Sequence, residues 1–139
     1  RERAEDMKQI KEVEARVEFP LQKASVTGRI DVLLHDGNCF EIRDYKTSKD
    51  STTQEDSAIQ VQMYALGMSM TGEAVSKGSV AYLDDASLRE VGVSESHLAQ
   101  AKEAVERHIS GIVTKDFRPQ SGQHCRSCDY GAICRWRGC

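Results

Sequence analysis

Thr27-Gly28-Arg29-Ile30-Asp31-Val32-Leu33-Leu34-His35-Asp36-Gly37-Asn38-Cys39-Phe40-Glu41-Ile42-Arg43-Asp44-Tyr45-Lys46-Thr47-Ser48 sets two runs rich in β-forming residues around an Asp-Gly-Asn turn. That pattern predicts a β-hairpin with a loop of three or four residues. Its polar content is unusual. Asp44 and Lys46 are two apart and so leave one face of a strand, and Phe40 and Ile42 share their parity. An amphipathic surface strand would set its charges opposite its apolar residues, whereas this one sets an acid and a lysine in line with them. Burying such charges unpaired is expensive, so they should meet each other, a metal or a substrate. Asp31 lies near the middle of the first run, within reach of Asp44 if the hairpin pairs in register.

Two carboxylates converging beside a lysine make a site of the kind that holds Mg²⁺ through one or two carboxylates and leaves room for water and phosphate. The lysine would then orient a water or stabilise charge developing on the phosphate. The plainer alternative is a hairpin ion pair between Asp44 and Lys46 with Asp31 solvated. These residues by themselves leave both readings open.

On the N-terminal side, Val13, Ala15, Val17, Phe19 and Leu21 alternate with polar residues and share one face of a predicted strand, with Pro20 marking an edge or a bulge. Residues 1–12 are charged and helical in composition, with only Met7 and Ile10 forming an apolar stripe. Three consecutive strands make an antiparallel meander the economical arrangement. On the C-terminal side, residues 49–55 read as a loop, after which Asp56 or Ser57 caps a helix through Ala58 to Met70 that stops near Gly72. Ile59, Met63, Leu66 and Met70 form its core stripe, and Gln60 and Tyr64 lie one turn apart on a neighbouring face. Gly78 to Leu83 is a short strand joining the sheet after a helical crossover. Ser94 caps a long helix from Glu95 to Thr114, apolar along Leu98, Ala101, Val105, Ile109 and Ile112, with His97 and His108 at its surface or edge.

Asp31, then Asp44-Tyr45-Lys46-Thr47 on the next strand, then Gln60-Val61-Gln62-Met63-Tyr64 on a helix, resembles the PD-(D/E)XK nucleases of the RecB-like branch. Their pattern is G-x-x-D, D-Y-K-T and Q-x-x-x-Y, and Gly28-Arg29-Ile30-Asp31 supplies the first piece. The resemblance implies an α/β (α+β), restriction-endonuclease-like core flanked by helices. It further implies Mg²⁺ or Mn²⁺ held by Asp31, Asp44 and the Tyr45 carbonyl, with Lys46 positioning the attacking water and Gln60 and Tyr64 orienting a DNA strand. Many members take another acidic or histidine ligand from a helix before the first strand. Glu2, Glu5 and Glu12 lie in that region, and nothing distinguishes one from another.

Four of the five cysteines close the chain as Cys125, Cys128, Cys134 and Cys139. Such crowding in an intracellular chain argues for a metal rather than disulfides. The spacing lacks the long spacer of a typical structural zinc site, while thiolate ligation of an iron-sulfur cluster tolerates it. The first three cysteines also resemble the C-terminal part of the iron-sulfur staple of RecB-like nucleases such as AddB and CRISPR-associated exonucleases. There, a fourth cysteine precedes the first strand. None does so here, so either Cys139 replaces it, it lies upstream in a longer protein, or the cluster is incomplete. Zinc is the alternative to a 4Fe-4S cluster, with free or disulfide-bonded thiols a third, and in either metal case the role is structural. Cys39 is expected to be a small buried hydrophobe.

At 139 residues the chain is one domain's worth: residues 1–12 a helix, 13–114 the core, 115–139 the cysteine-rich tail. An N-terminal Arg rather than Met suggests a fragment of a longer protein. With 29% charged residues and no long apolar run, a membrane span and a signal peptide are not expected, and a cytoplasmic location is. The net charge of −3 divides into +3 over residues 115–139 and −6 over the rest, so the tail could contact phosphates or simply be solvated. The expected function is a metal-dependent DNA nuclease, an exonuclease or the nuclease module of a helicase-nuclease. The alternatives are a catalytically silent module binding DNA or a partner subunit, and a zinc-stabilised interaction domain.

Overall fold

A computed structural model of the protein describes residues 9–35, 37–47, 54–119 and 121–136. Five strands, β1 (Ile10–Leu21), β2 (Ala24–His35), β3 (Phe40–Lys46), β4 (Val75–Tyr82) and β5 (Leu88–Val91), form one sheet in sequence order. The expected meander is present: β1 pairs antiparallel with β2, and β2 with β3. Helix α1 (Gln54–Met70) then crosses over, so that β4 lies parallel to β3, and β5 returns antiparallel along the edge. Helix α2 (Glu95–Val113) packs on α1, and a 3₁₀ turn at Gln123–Arg126 opens the tail.

The β1 face read from alternation is the buried one, with Ala15, Val17, Phe19 and Leu21 in the core. The same strand corrects an expectation. Residues 10–12 are strand rather than helix, because β2 continues to His35 and offers Leu33 and Leu34 as pairing partners for Glu12 and Ile10. A ladder partner satisfies those backbone groups at once, which an apolar-poor helix end could not do. Of the helix expected over residues 1–12, residues 1–8 lie outside the described residues.

Helix α1 starts earlier than its expected cap. Ser57 is buried inside the helix, while Glu55 and Asp56 fall in the first turn, where the helix dipole favours negative charge. Its buried hydrophobic residues are Val61, Met63, Tyr64, Ala65 and Met68 rather than the single stripe expected, and Met70 is exposed. The reason is tertiary: the sheet lies against one side of α1 and α2 against another, so its apolar surface is wider than one stripe. Helix α2 buries Ala101 and packs Leu98, Val105 and Ile109 on the core, but Ile112, expected on the same apolar side, is exposed. Ser94 occupies the N-cap without capping. Its hydroxyl contacts His97 Nδ1 at 2.7 Å instead of a backbone N–H.

Strand β5 was not foreshadowed by alternation. Its four residues are mostly exposed, and it forms because the outer edge of β4 presents open backbone groups from Gly78 to Ala81. Among the described residues, no helix is long and apolar enough to cross a membrane.

Candidate active site

The site forms where β2 parts from β3. Their ladder runs from His35↔Phe40 to Val32↔Arg43 and stops, while β2 continues along β1 alone. Ile30 and Leu33 both enter the core, which strict alternation along β2 forbids, so the strand changes face between them. Between them Asp31 falls opposite Glu14 of β1, whose φ is +57°, while the β1–β2 register runs unbroken from Val13↔Val32 to Ala15↔Ile30. Asp31 reaches β3 just beyond the end of the β2–β3 ladder, where its Oδ2 accepts the Tyr45 N–H at 2.7 Å. A side chain has taken the place of a ladder partner at the amide between Asp44 and Lys46.

Asp44 is the second acid of the site and sits deeper. It is 2% exposed, next to fully buried Ile42 in the sequence pattern and paired with buried Val80 of β4. Its Oδ2 lies 2.8 Å from Lys46 Nζ as an ion pair, yet among the described residues that oxygen has no partner at a hydrogen-bonding angle. Burial pushes the Asp44 carboxyl above its ordinary range. Contact with Lys46 and the charge of Lys46 oppose the shift, and the nearby charge of Asp31 adds to it. The site therefore contains a buried anion whose charge is only partly balanced.

Lys46 is the meeting point with α1. Besides Asp44 it donates to Gln60 Oε1 at 3.0 Å, and Gln60 Nε2 donates to Tyr64 OH at 2.8 Å. The i, i+4 spacing of Gln60 and Tyr64 makes that contact local to the helix. Gly28 of β2 supplies the seat for Tyr64: a Cβ built there would overlap the ring at Cε1. The motif glycine is legible in the sequence, but its reason is not, since the ring it makes room for comes from a helix 36 residues further on.

A hard divalent cation fits this donor set, since the buried Asp44 carboxylate is balanced by a single lysine and the Asp31 carboxylate approaches the same strand end. No group of three or more His, Cys, Asp or Glu side chains gathers to hold a metal among the described residues, so main-chain oxygen and water would have to complete the shell. Glu12 lies exposed on β1, and Glu2 and Glu5 fall outside the described residues. Cys125, Cys128 and Cys134 are in no disulfide, Cys139 is outside the described residues, and the three described thiols form no metal-holding group. Cys39 is half-buried at the head of β3.

A family model for the PD-(D/E)XK nuclease superfamily matches residues 1–135. Among solved structures, the fold is similar to a protein from Eubacterium rectale provisionally named an exonuclease, with a TM-score of 0.59 and 18% identity over 90% of this chain and 53% of that one. It is also similar to the crystal structure of SSO0001, with a TM-score of 0.54 and 18% identity over 91% of this chain and 60% of that one. The chain thus spans little more than half the length of these two proteins. No curated protein matches the sequence significantly.

Proposed function

The chain belongs to the PD-(D/E)XK nuclease superfamily, and from that premise we propose that it hydrolyses phosphodiester bonds of DNA with Mg²⁺ or Mn²⁺. The observation that carries this reading is the buried Asp44 carboxylate, whose Oδ2 has only the Lys46 ion pair against it, with Asp31 approaching at the next residue. Asp31, Asp44 and the Tyr45 carbonyl would hold the cation. When bound, the ion supplies Lewis-acid polarisation of the phosphate and a more acidic water.

The residues supply the rest. Asp44, a buried anion balanced only in part by Lys46, gains more from a cation than a solvated carboxylate would. Lys46 keeps a positive charge beside the carboxylates, where it orients a water for in-line attack and offsets charge developing on the phosphoryl oxygens. A RecB-like exonuclease, or the nuclease module of a helicase-nuclease, is the form of this activity that the sequence pattern supports. The cysteines of the tail offer the thiolate donors that a structural 4Fe-4S cluster takes, with zinc as the alternative.

The test is cleavage of labelled single- and double-stranded DNA with Mg²⁺ or Mn²⁺ by the wild-type chain and by Asp44→Ala. Loss of cleavage in the variant, with its thermal unfolding retained, supports the reading. Equal Mg²⁺-dependent cleavage by the variant refutes it, and binding of DNA that ignores both Mg²⁺ and the substitution points to a silent clamp instead.

A further inference from the structure

Asp44, Lys46, Gln60 and Tyr64 form one line of contacts from β3 into α1, with successive distances of 2.8, 3.0 and 2.8 Å. We propose that Gln60 and Tyr64 are positioning residues for Lys46, holding its ammonium group in place, and that neither touches nucleic acid. This deepens the functional reading above and rests on it.

Lys46 has a flexible four-carbon stem and three N–H donors. Held by Asp44 alone it could pivot about a single contact. Gln60 Oε1 is a second fixed point on another element, which leaves the remaining donor free to face the reacting phosphate. The orientation of the Gln60 amide decides whether this works, because a flipped amide would present its NH₂ to the ammonium, donor against donor. The ammonium itself removes that ambiguity: it can only donate and so draws Oε1 toward Lys46, which leaves Nε2 to donate to the Tyr64 hydroxyl as a second anchor for the amide.

Tyr64 is itself held from behind. It is 8% exposed, its hydroxyl is engaged by Gln60, and its ring fills the space above Gly28. A tyrosine so enclosed has no free edge for a DNA strand. The glycine of G-x-x-D and the glutamine and tyrosine of Q-x-x-x-Y thus serve one end, the placement of the lysine of D-x-K.

The test is a kinetic cycle on a labelled single-stranded oligonucleotide with Mg²⁺, using Gln60→Leu, Gln60→Glu, Tyr64→Phe, Lys46→Ala and the double variant Lys46→Ala/Gln60→Leu. Loss of a hydrogen bond to a charged group predicts a fall in kcat of roughly tenfold to a hundredfold for Gln60→Leu, with KM within about twofold. Tyr64→Phe should fall less, and Gln60→Glu, which keeps an oxygen facing Lys46, should retain most of kcat. The double variant should be no slower than Lys46→Ala, since Gln60 acts only through that lysine. A raised KM at unchanged kcat in Gln60→Leu or Tyr64→Phe would mean contact with DNA and overturn the proposal, as would fully multiplicative losses in the double variant.

Lys46→Ala cleaving at the wild-type rate would instead sink the functional reading itself, and this proposal with it. A readout independent of cleavage is exchange of the Lys46 ammonium protons followed by ¹⁵N NMR. Faster exchange in Gln60→Leu at an unchanged melting temperature supports the proposal, and unchanged exchange overturns it.

Discussion

At the scale of single residues, the site is held together by a carboxylate in an unfavourable place. Because the Asp44 pKa is raised in the folded protein, chiefly by burial, folding favours its protonated form. The stability this group contributes is therefore fully present below the ordinary carboxylate value of 3.8 and is lost as pH rises through the raised value. Asp44→Asn should raise the melting temperature at pH 7, with the gain shrinking as pH falls toward 4, while cleavage is lost. Thermal unfolding across that pH range reads the trend, and a variant less stable than wild type at pH 7 would contradict it. Stability given up at a site that concentrates charge is a familiar trade in enzymes. Gly28 works in the opposite sense, since Gly28→Ala would press a methyl group into the Tyr64 ring. Overpacking of this kind costs roughly 1–3 kcal/mol, which urea unfolding would show as a lower midpoint.

At the scale of elements, α1 joins the core to the candidate site. Its inner surface fills the space between the sheet and α2, and its Gln60 and Tyr64 reach the end of β3. Gly67 lies where a Cβ would come within 2.6 Å of Phe19 and Val17 on β1. Alanine is favoured over glycine in a helix by about 1 kcal/mol, yet the overlap with β1 should outweigh that gain. Gly67→Ala should therefore lower stability, and an increase in the urea midpoint would show that β1 gives way freely. The buried face of β1 and the existence of both long helices were legible because 2.0 and 3.6 periodicities survive in the sequence. The wider burial of α1 and the presence of β5 were not, since one depends on being covered from two sides and the other on the open edge of β4.

At the scale of the molecule, a cation bound only by the folded site stabilises the fold by mass action. Mg²⁺ should raise the melting temperature of the wild-type chain and leave that of Asp44→Asn unmoved; an equal rise in both would place the ion elsewhere. The tail poses a separate question with a separate test. Protein purified without oxygen should be brown and absorb visible light if Cys125, Cys128 and Cys134 hold an iron-sulfur cluster, and colourless protein containing stoichiometric zinc would exclude it.

The sequence by itself determined which residue types could do chemistry and which strand and helix would carry them, because motif spacing and periodicity are properties of the local chain. Asp44 and Lys46 on one face of β3, and Gln60 one turn before Tyr64, needed no more than that. Only the tertiary structure decided how Asp31 arrives, against the Tyr45 N–H where the β2–β3 ladder ends, and why Gly28 must be glycine. Both depend on contacts between segments distant in sequence, and no local pattern encodes the space that a neighbouring element will leave.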